Sequence, residues 1–141
     1  MNLKVRVKRF QASDYVLVAK LWKRAGLRVR RGDDKESILR KMKRDPELFL
    51  VASRNGVMIG TVIGGWDGRR GWIYHLAVDP KQQRIGVGKF LVRELENRMR
   101  RKKVPKVNAL VYNANRVSLS FFRKMGYGEE RGLTMVSKIL S

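Results

Sequence analysis

The sequence predicts a mixed α/β fold, with a mixed central sheet of six or seven strands and about four helices, in one domain spanning 1–141. Three observations carry this. Short apolar or alternating runs at 3–9, 48–53, 57–65, 71–78 and 106–112 have the length and periodicity of strands. Longer stretches between them repeat apolar residues at three- and four-residue steps, the pattern of a helix with one buried face. The order is strand, two helices, three strands, helix, strand, helix, then one or two last strands, so antiparallel hairpins come first and an α/β crossover follows. With 141 residues, 43% of them hydrophobic, the chain can bury a moderate core.

Each element has a local reason. Residues 3–9 alternate Leu3, Val5 and Val7 with basic residues, as a half-exposed strand does. Ser13 or Asp14 is placed to cap a helix whose buried face is Tyr15, Val18, Leu21 and Trp22, and Gly26 ends it. After the basic loop at 28–32, Asp33 and Asp34 open a second helix, where acids suit the dipole. Its apolar face is Ile38, Leu39 and Met42, and the Asp45-Pro46 step breaks it. Asn55-Gly56 is a strong hairpin signal between the strands at 48–53 and 57–65. The run 71–78 is almost wholly apolar or aromatic, which predicts cover on both faces. A helix from Gly88 to about Lys102 is expected to turn Phe90, Leu91, Leu95 and Met99 inward. A short helix at 115–125 stops at Gly126, and 132–140 supplies the last one or two strands. Linkers, repeats and low-complexity segments do not stand out.

Composition removes several function classes. Without cysteine, disulfides, thiolate catalysis and cysteine-ligated metals are excluded. His75 is the only histidine, so a histidine metal site is not expected. No apolar run reaches the roughly 18 residues of a membrane helix, and the start MNLKVRVKRF lacks the apolar segment of a signal peptide. A cytoplasmic location without a membrane partner is the expectation. The charge is unusual, with 33 Lys and Arg against 12 acids, a formal +21. Such a field attracts polyanions. The charges are spread along the chain, as on a solvated basic face, and no aromatic-interleaved nucleic-acid motif accompanies them.

The chemistry concentrates between Tyr74 and Arg93. A strand ending in Leu76-Ala77-Val78-Asp79-Pro80 leads into Gln83-Arg84-Ile85-Gly86-Val87-Gly88-Lys89 and then a helix. Glycines let a backbone approach a ligand, and the first N–H groups of the helix are unpaired donors at the positive end of its dipole. Together these suit a phosphate. The spacing is neither a Walker loop nor the dinucleotide G-x-G-x-x-G. The Q-x-x-G-x-G run after an apolar-Ala-Val-x-Pro strand end resembles motif A of the GNAT superfamily of N-acetyltransferases. A second stretch, Asn115 followed by Phe121 to Tyr127, resembles the family's N-x(6)-Y-x-x-x-G-[FY]. Leu21-Trp22, Phe49–Ala52 and Gly60–Gly65 further resemble its small bacterial and archaeal members.

The resemblance covers nearly the whole chain. It implies splayed fourth and fifth strands, with acetyl-CoA as co-substrate between them and no metal. Leu76, Ala77 and Val78 would meet the pantetheine arm through their main chain. Gln83, Arg84, Ile85, Gly86, Val87, Gly88 and Lys89 would hold the pyrophosphate. Asn115, Phe122 and Arg123 would lie against the cofactor. The implied reaction is direct transfer of an acetyl group to a primary amine on a small molecule, peptide or protein N-terminus. The acid that gives the leaving thiolate its proton is a Tyr in the family, and here that position is Phe122, which has no proton to give. Three routes stay open. Another hydroxyl (Tyr127, Tyr112 or Tyr74) or a water serves, or the thiolate leaves without a specific acid, or the protein binds CoA and acetylates poorly. On the base side Tyr74 and His75 are the candidates, and strand alternation lets only one of them face the acetyl group. Water-mediated deprotonation without one essential base is the expectation. The Arg-rich 28–32 loop favours an anionic or peptide acceptor over a polyamine, an inference that Asp33, Asp34, Glu129 and Glu130 temper. The alternative reading is a basic CoA-binding protein associated with RNA or the ribosome. A monomer or homodimer fits either.

Overall fold

The structure, a computed structural model, describes residues 4–141 and, at Arg84, the backbone alone. Leu3 of the first expected strand and the side chain of Arg84 thus lie outside the described residues. The chain divides into two compact units, one up to Leu110 and one from Val111 to Ser141.

The first unit contains β1 (Val5–Arg9), α1 (Tyr15–Arg24), α2 (Lys35–Arg44), β2 (Phe49–Arg54), β3 (Val57–Trp66), β4 (Gly71–Val78), α3 (Val87–Arg101) and β5 (Val107–Ala109). The strands form one sheet in the order β1-β2-β3-β4-β5, antiparallel except for the parallel β4–β5 pair. Asn55 and Gly56 carry φ of 52° and 76°, as a two-residue hairpin turn requires. The expected cap of the first helix is replaced by a 3-10 turn, Ala12–Asp14, in which the Asp14 carboxylate accepts from Gln11 N at 2.9 Å. Asp34 does cap α2, accepting from Ser37 N at 3.1 Å and Ser37 Oγ at 2.7 Å.

The sheet is covered on both faces. On one face Val18 and Trp22 of α1 and Ile38 of α2 join Phe10, Phe49, Val51, Ile63 and Ala77 in a buried cluster. On the other lies α3, turning Val87, Leu91, Val92, Leu95 and Met99 inward. Phe90 is half exposed, contrary to the expected inward position, because the phase fixed by Leu91, Leu95 and Met99 puts it about 100° off the buried stripe. The glycines of β3 explain how α3 comes so near. A Cβ on Gly60 would stand 2.8 Å from Val87 Cγ1 and 2.9 Å from Leu91 Cδ1. One on Gly64 would stand 2.6 Å from Leu95 Cδ1 and 3.1 Å from the Leu48 carbonyl.

In the second unit, α4 (Arg116–Lys124) is capped by Asn115, whose Oδ1 accepts from Ser118 N at 3.1 Å. Six or seven strands were expected, and five are found among the described residues. The missing strand or strands are those at 132–140. That segment belongs to a unit whose only regular element is a helix, so no strand of its own unit offers it a ladder.

Gly64→Ala is expected to lower unfolding stability by about 1–3 kcal/mol, since Leu95 can move aside but the Leu48 carbonyl cannot. Urea titration of the variant beside the parent protein checks this.

Candidate active site

β4 changes character halfway along. Its first residues pair with β5 at Gly71↔Val107, Trp72↔Asn108 and Ile73↔Ala109. Among the described residues, Tyr74–Val78 are laddered to β3 alone. The pairing with β3 is itself irregular. Between Thr61↔Ala77 and Ile63↔Tyr74, β3 advances two residues and β4 three. β4 therefore carries a bulge, and within it His75 has φ +46°, a left-handed value uncommon for a residue with a Cβ.

The bulge overturns the alternation expected for Tyr74 and His75. Tyr74 pairs with Ile63, and its ring lies 3.2 Å from where a Cβ on Gly65 would be, with Lys41 Nζ of α2 also close to that point. The His75 ring meets Trp22 of α1 edge-on, with centroids 5.1 Å apart. Both side chains thus sit on the α1–α2 face. Nor is the strand sealed on both faces, since Tyr74 is 40% exposed. Partial burial, with Asp67 and Asp45 adding negative charge, raises the Tyr74 phenol above its usual 10. At neutral pH it is a proton donor and not a base.

His75 Nε2 lies 2.8 Å from Oδ1 of Asp33, a buried carboxylate at the foot of the 28–32 loop. The other oxygen of Asp33 accepts from Arg30 N at 2.8 Å, and its main-chain carbonyl accepts from Tyr15 Oη at 3.1 Å. Sequence reasoning assigned Asp33 to the dipole of α2 and missed this contact. A separation of 42 positions along the chain hides it. Only the chemistry of a lone histidine hinted that a carboxylate partner was worth seeking.

The loop after β4 is anchored at its entry. Asp79 N donates to the Ile59 carbonyl at 2.8 Å. The Asp79 carboxylate accepts from Lys81 N at 3.0 Å and from Arg24 of α1 at 3.2 Å. Pro80–Ile85 form a short 3-10 helix, Gly86 turns at φ +81°, and α3 starts at Val87, one residue earlier than expected. Gly86 has no side chain to cap α3, so the first N–H groups of the helix are left to a ligand or water. Lys89 is exposed at this end, whereas the Val87 side chain is buried, leaving its main chain for any contact. Gln83 Nε2 reaches the Val78 carbonyl at 3.5 Å.

Residues 12–127 match the family model described as the acetyltransferase (GNAT) family. The chain belongs to the GNAT acetyltransferase family. It is 35% identical over 136 residues to an acetyltransferase of Yersinia pestis, covering 96% of each chain. An acetyltransferase of Sodalis glossinidius is 33% identical over 138 residues, 98% of this chain and 96% of that one. Among solved structures, the PaiA N-acetyltransferase of Thermoplasma acidophilum in complex with coenzyme A shares the fold, with TM-score 0.83 at 20% identity over 91% of this chain and 92% of that one. The protein is accordingly an acyltransferase, a GNAT N-acetyltransferase.

The site positions expected from the GNAT resemblance fall in both units. Tyr74, His75, Leu76, Ala77, Val78 and the run Gln83–Lys89 follow one another along β4 and into α3. Asn115, Phe122, Arg123 and Tyr127 gather on α4 and just after it. There Phe122 is buried between Phe121 and Tyr127, edge-on to both at 5.2 Å, and Arg123 lies 3.9 Å from Glu129. Phe122 is thus a packing residue in its own unit, and the Tyr127 ring lies against it there.

In a phenol absorbance titration, one tyrosine is expected to ionise above pH 10 and to vanish in Tyr74→Phe. The sign follows from linkage. A raised native pKa contributes stability that is whole below the unfolded value and is lost as pH rises through the native one.

Proposed function

We propose that this protein transfers the acetyl group of acetyl-CoA directly to the primary amine of an anionic or peptide acceptor. The observation that carries the reading is the half-free edge of β4 running straight into the Gly86 turn and the uncapped start of α3. An extended amide-bearing arm can add to the edge at Tyr74–Val78, and a pyrophosphate can take the helix-start donors. The residues fit the cofactor on both counts. Bound there, acetyl-CoA supplies the activated acetyl group as a thioester.

The chain's own groups supply the rest. The main-chain N–H of Val78 or a neighbour is the donor for charge developing on the acetyl oxygen. Lys89 adds positive charge beside the phosphates. A neutral Tyr74 serves as the hydroxyl donor that Phe122, lacking a proton to give, cannot be. The acceptor class rests on the 28–32 loop. Asp33 and Asp34, which would offset its arginines, are engaged by His75, Arg30 N and Ser37. They are therefore less available to attract a cationic acceptor. Relatives of the fold act on varied amines, among them the alanine of ribosomal protein S18, and a peptide that carries carboxylates near its amine suits a loop of this charge.

Thiol release from acetyl-CoA against pooled anionic amines, peptides and polyamines tests the function. Turnover is expected with the first two pools. Gly86→Val, which forces a β-branched residue to positive φ, is expected to raise the acetyl-CoA KM by roughly 10–100-fold. Turnover confined to polyamines would reject the acceptor class.

A further inference from the structure

We propose that Asp33 is a positioning residue for proton removal from the acceptor amine. It holds His75 with Nε2 protonated, so that Nδ1 is the base. This rests on the N-acetyltransferase reading and adds to it the identity of the base and of the group that orients it.

The geometry decides the tautomer. An ionised carboxylate only accepts hydrogen bonds, so the 2.8 Å contact to Asp33 Oδ1 requires the hydrogen on Nε2, and in the neutral ring this leaves the lone pair on Nδ1. The carboxylate cannot swing away. Its second oxygen is taken by Arg30 N, and the Asp33 main chain is tied to Tyr15 Oη. The ring is equally fixed, lying edge-on to Trp22 and carried on the left-handed bulge of β4. Three segments meet on it: α1, the loop before α2, and β4. Nδ1 makes no hydrogen bond among the described residues and is open to solvent. Trp22 Nε1 is the sole buried side-chain nitrogen or oxygen without a partner among them. A base so oriented stands on the half of β4 that lacks a ladder to β5.

The proton balance is complete. An N–H bond of the acceptor ammonium breaks, and the proton passes to Nδ1 directly or through one water. The freed lone pair forms the amide bond to the acetyl carbon as the C–S bond breaks, its electron pair leaving on sulfur, and the second proton lost from the nitrogen passes through water to that thiolate, giving the free thiol. The imidazolium, held beside the Asp33 carboxylate, then returns its proton to water. This replaces the expectation of water-mediated deprotonation without a fixed base.

The test uses the full chain, in which a single histidine makes the ring nitrogen signals unambiguous. Nitrogen-15 spectra of the neutral protein are expected to show Nε2 protonated and Nδ1 bare, and Asp33→Asn to lose that preference. In the same variant kcat should fall roughly 10²-fold, with the acetyl-CoA KM unchanged and Asp33→Glu restoring part of the loss. Tyr15→Phe, which disturbs the same segment and spares the carboxylate, should keep the tautomer. Should Asp33→Asn not fold, His75→Gln is expected to give the same kcat loss at unchanged KM. A proton on Nδ1 in the parent protein, or undiminished kcat in Asp33→Asn or His75→Gln, overturns the proposal. A parent protein that acetylates no amine overturns the transferase reading and the base with it. The ring spectra then still report whether Asp33 sets the tautomer, so the two failures are told apart.

Discussion

The extra residue in β4 is the constraint on which the site depends. A regular strand would send Tyr74 and His75 to opposite faces and keep Ala77 in step with His75. The bulge instead leaves Tyr74, His75 and Ala77 on the α1–α2 face, where Trp22 and Asp33 receive the imidazole. A left-handed φ on a histidine costs of order 1–3 kcal/mol and persists only where the surroundings fix it. The contacts to Asp33 and Trp22 offset that cost. Strain, hydrogen bond and ring contact thus belong to one local solution. The same bulge bends β4 near the place where its pairing to β5 stops, so the strand parts from its neighbour where an extended ligand needs an edge.

α3 imposes the second constraint. Its N-terminus has to arrive close to the end of β4 for the Gly86 turn to stay short. The glycines of β3 allow this by letting Val87, Leu91 and Leu95 seat where side chains would otherwise stand. Tight seating of α3 on β3 fixes the direction of its first turn, and Asp79, bonded to Ile59, Lys81 and Arg24, fixes the entry to the loop. Packing energy on one face of the sheet and a polar clamp at its end therefore aim the same set of backbone donors.

Sequence patterns revealed what local physics controls. The helix periods, the Asn55-Gly56 turn, the Asp34 cap and the glycine turn at Gly86 are all settled within a few residues, and they were legible. Three features were not. Periodicity cannot count an extra residue in a ladder, so the bulge at His75 was invisible and the two-face alternation misled. Hydrogen bonding between Asp33 and His75 joins segments that only the assembled sheet brings near. The expected strand at 132–140 failed for a related reason, because β structure needs a partner that a single segment cannot supply. Phe122 was readable in part. Its inability to donate a proton was plain from its identity, whereas its packing between Phe121 and Tyr127 was not.

The charge of the protein gains meaning from where its acids go. Asp33, Asp34, Asp45, Asp67 and Asp79 each hold a main-chain or side-chain donor, Asp33 and Asp45 from buried positions and Asp34 and Asp67 at the surface. Glu47 and Glu94 bridge to Lys102 and Arg98. The hydrogen bonds to Asp34, Asp67 and Glu47 depress their pKa values, so these carboxylates stay ionised and committed. Few acids remain to face an approaching ligand, while the excess of 33 basic over 12 acidic groups does. A positive field draws in a phosphate-bearing cofactor. It also disfavours the charged form of any ammonium brought into it, lowering the pKa of the acceptor amine. Field and base then act on the same proton, and a histidine held by one buried carboxylate has less to do than it would on a neutral surface.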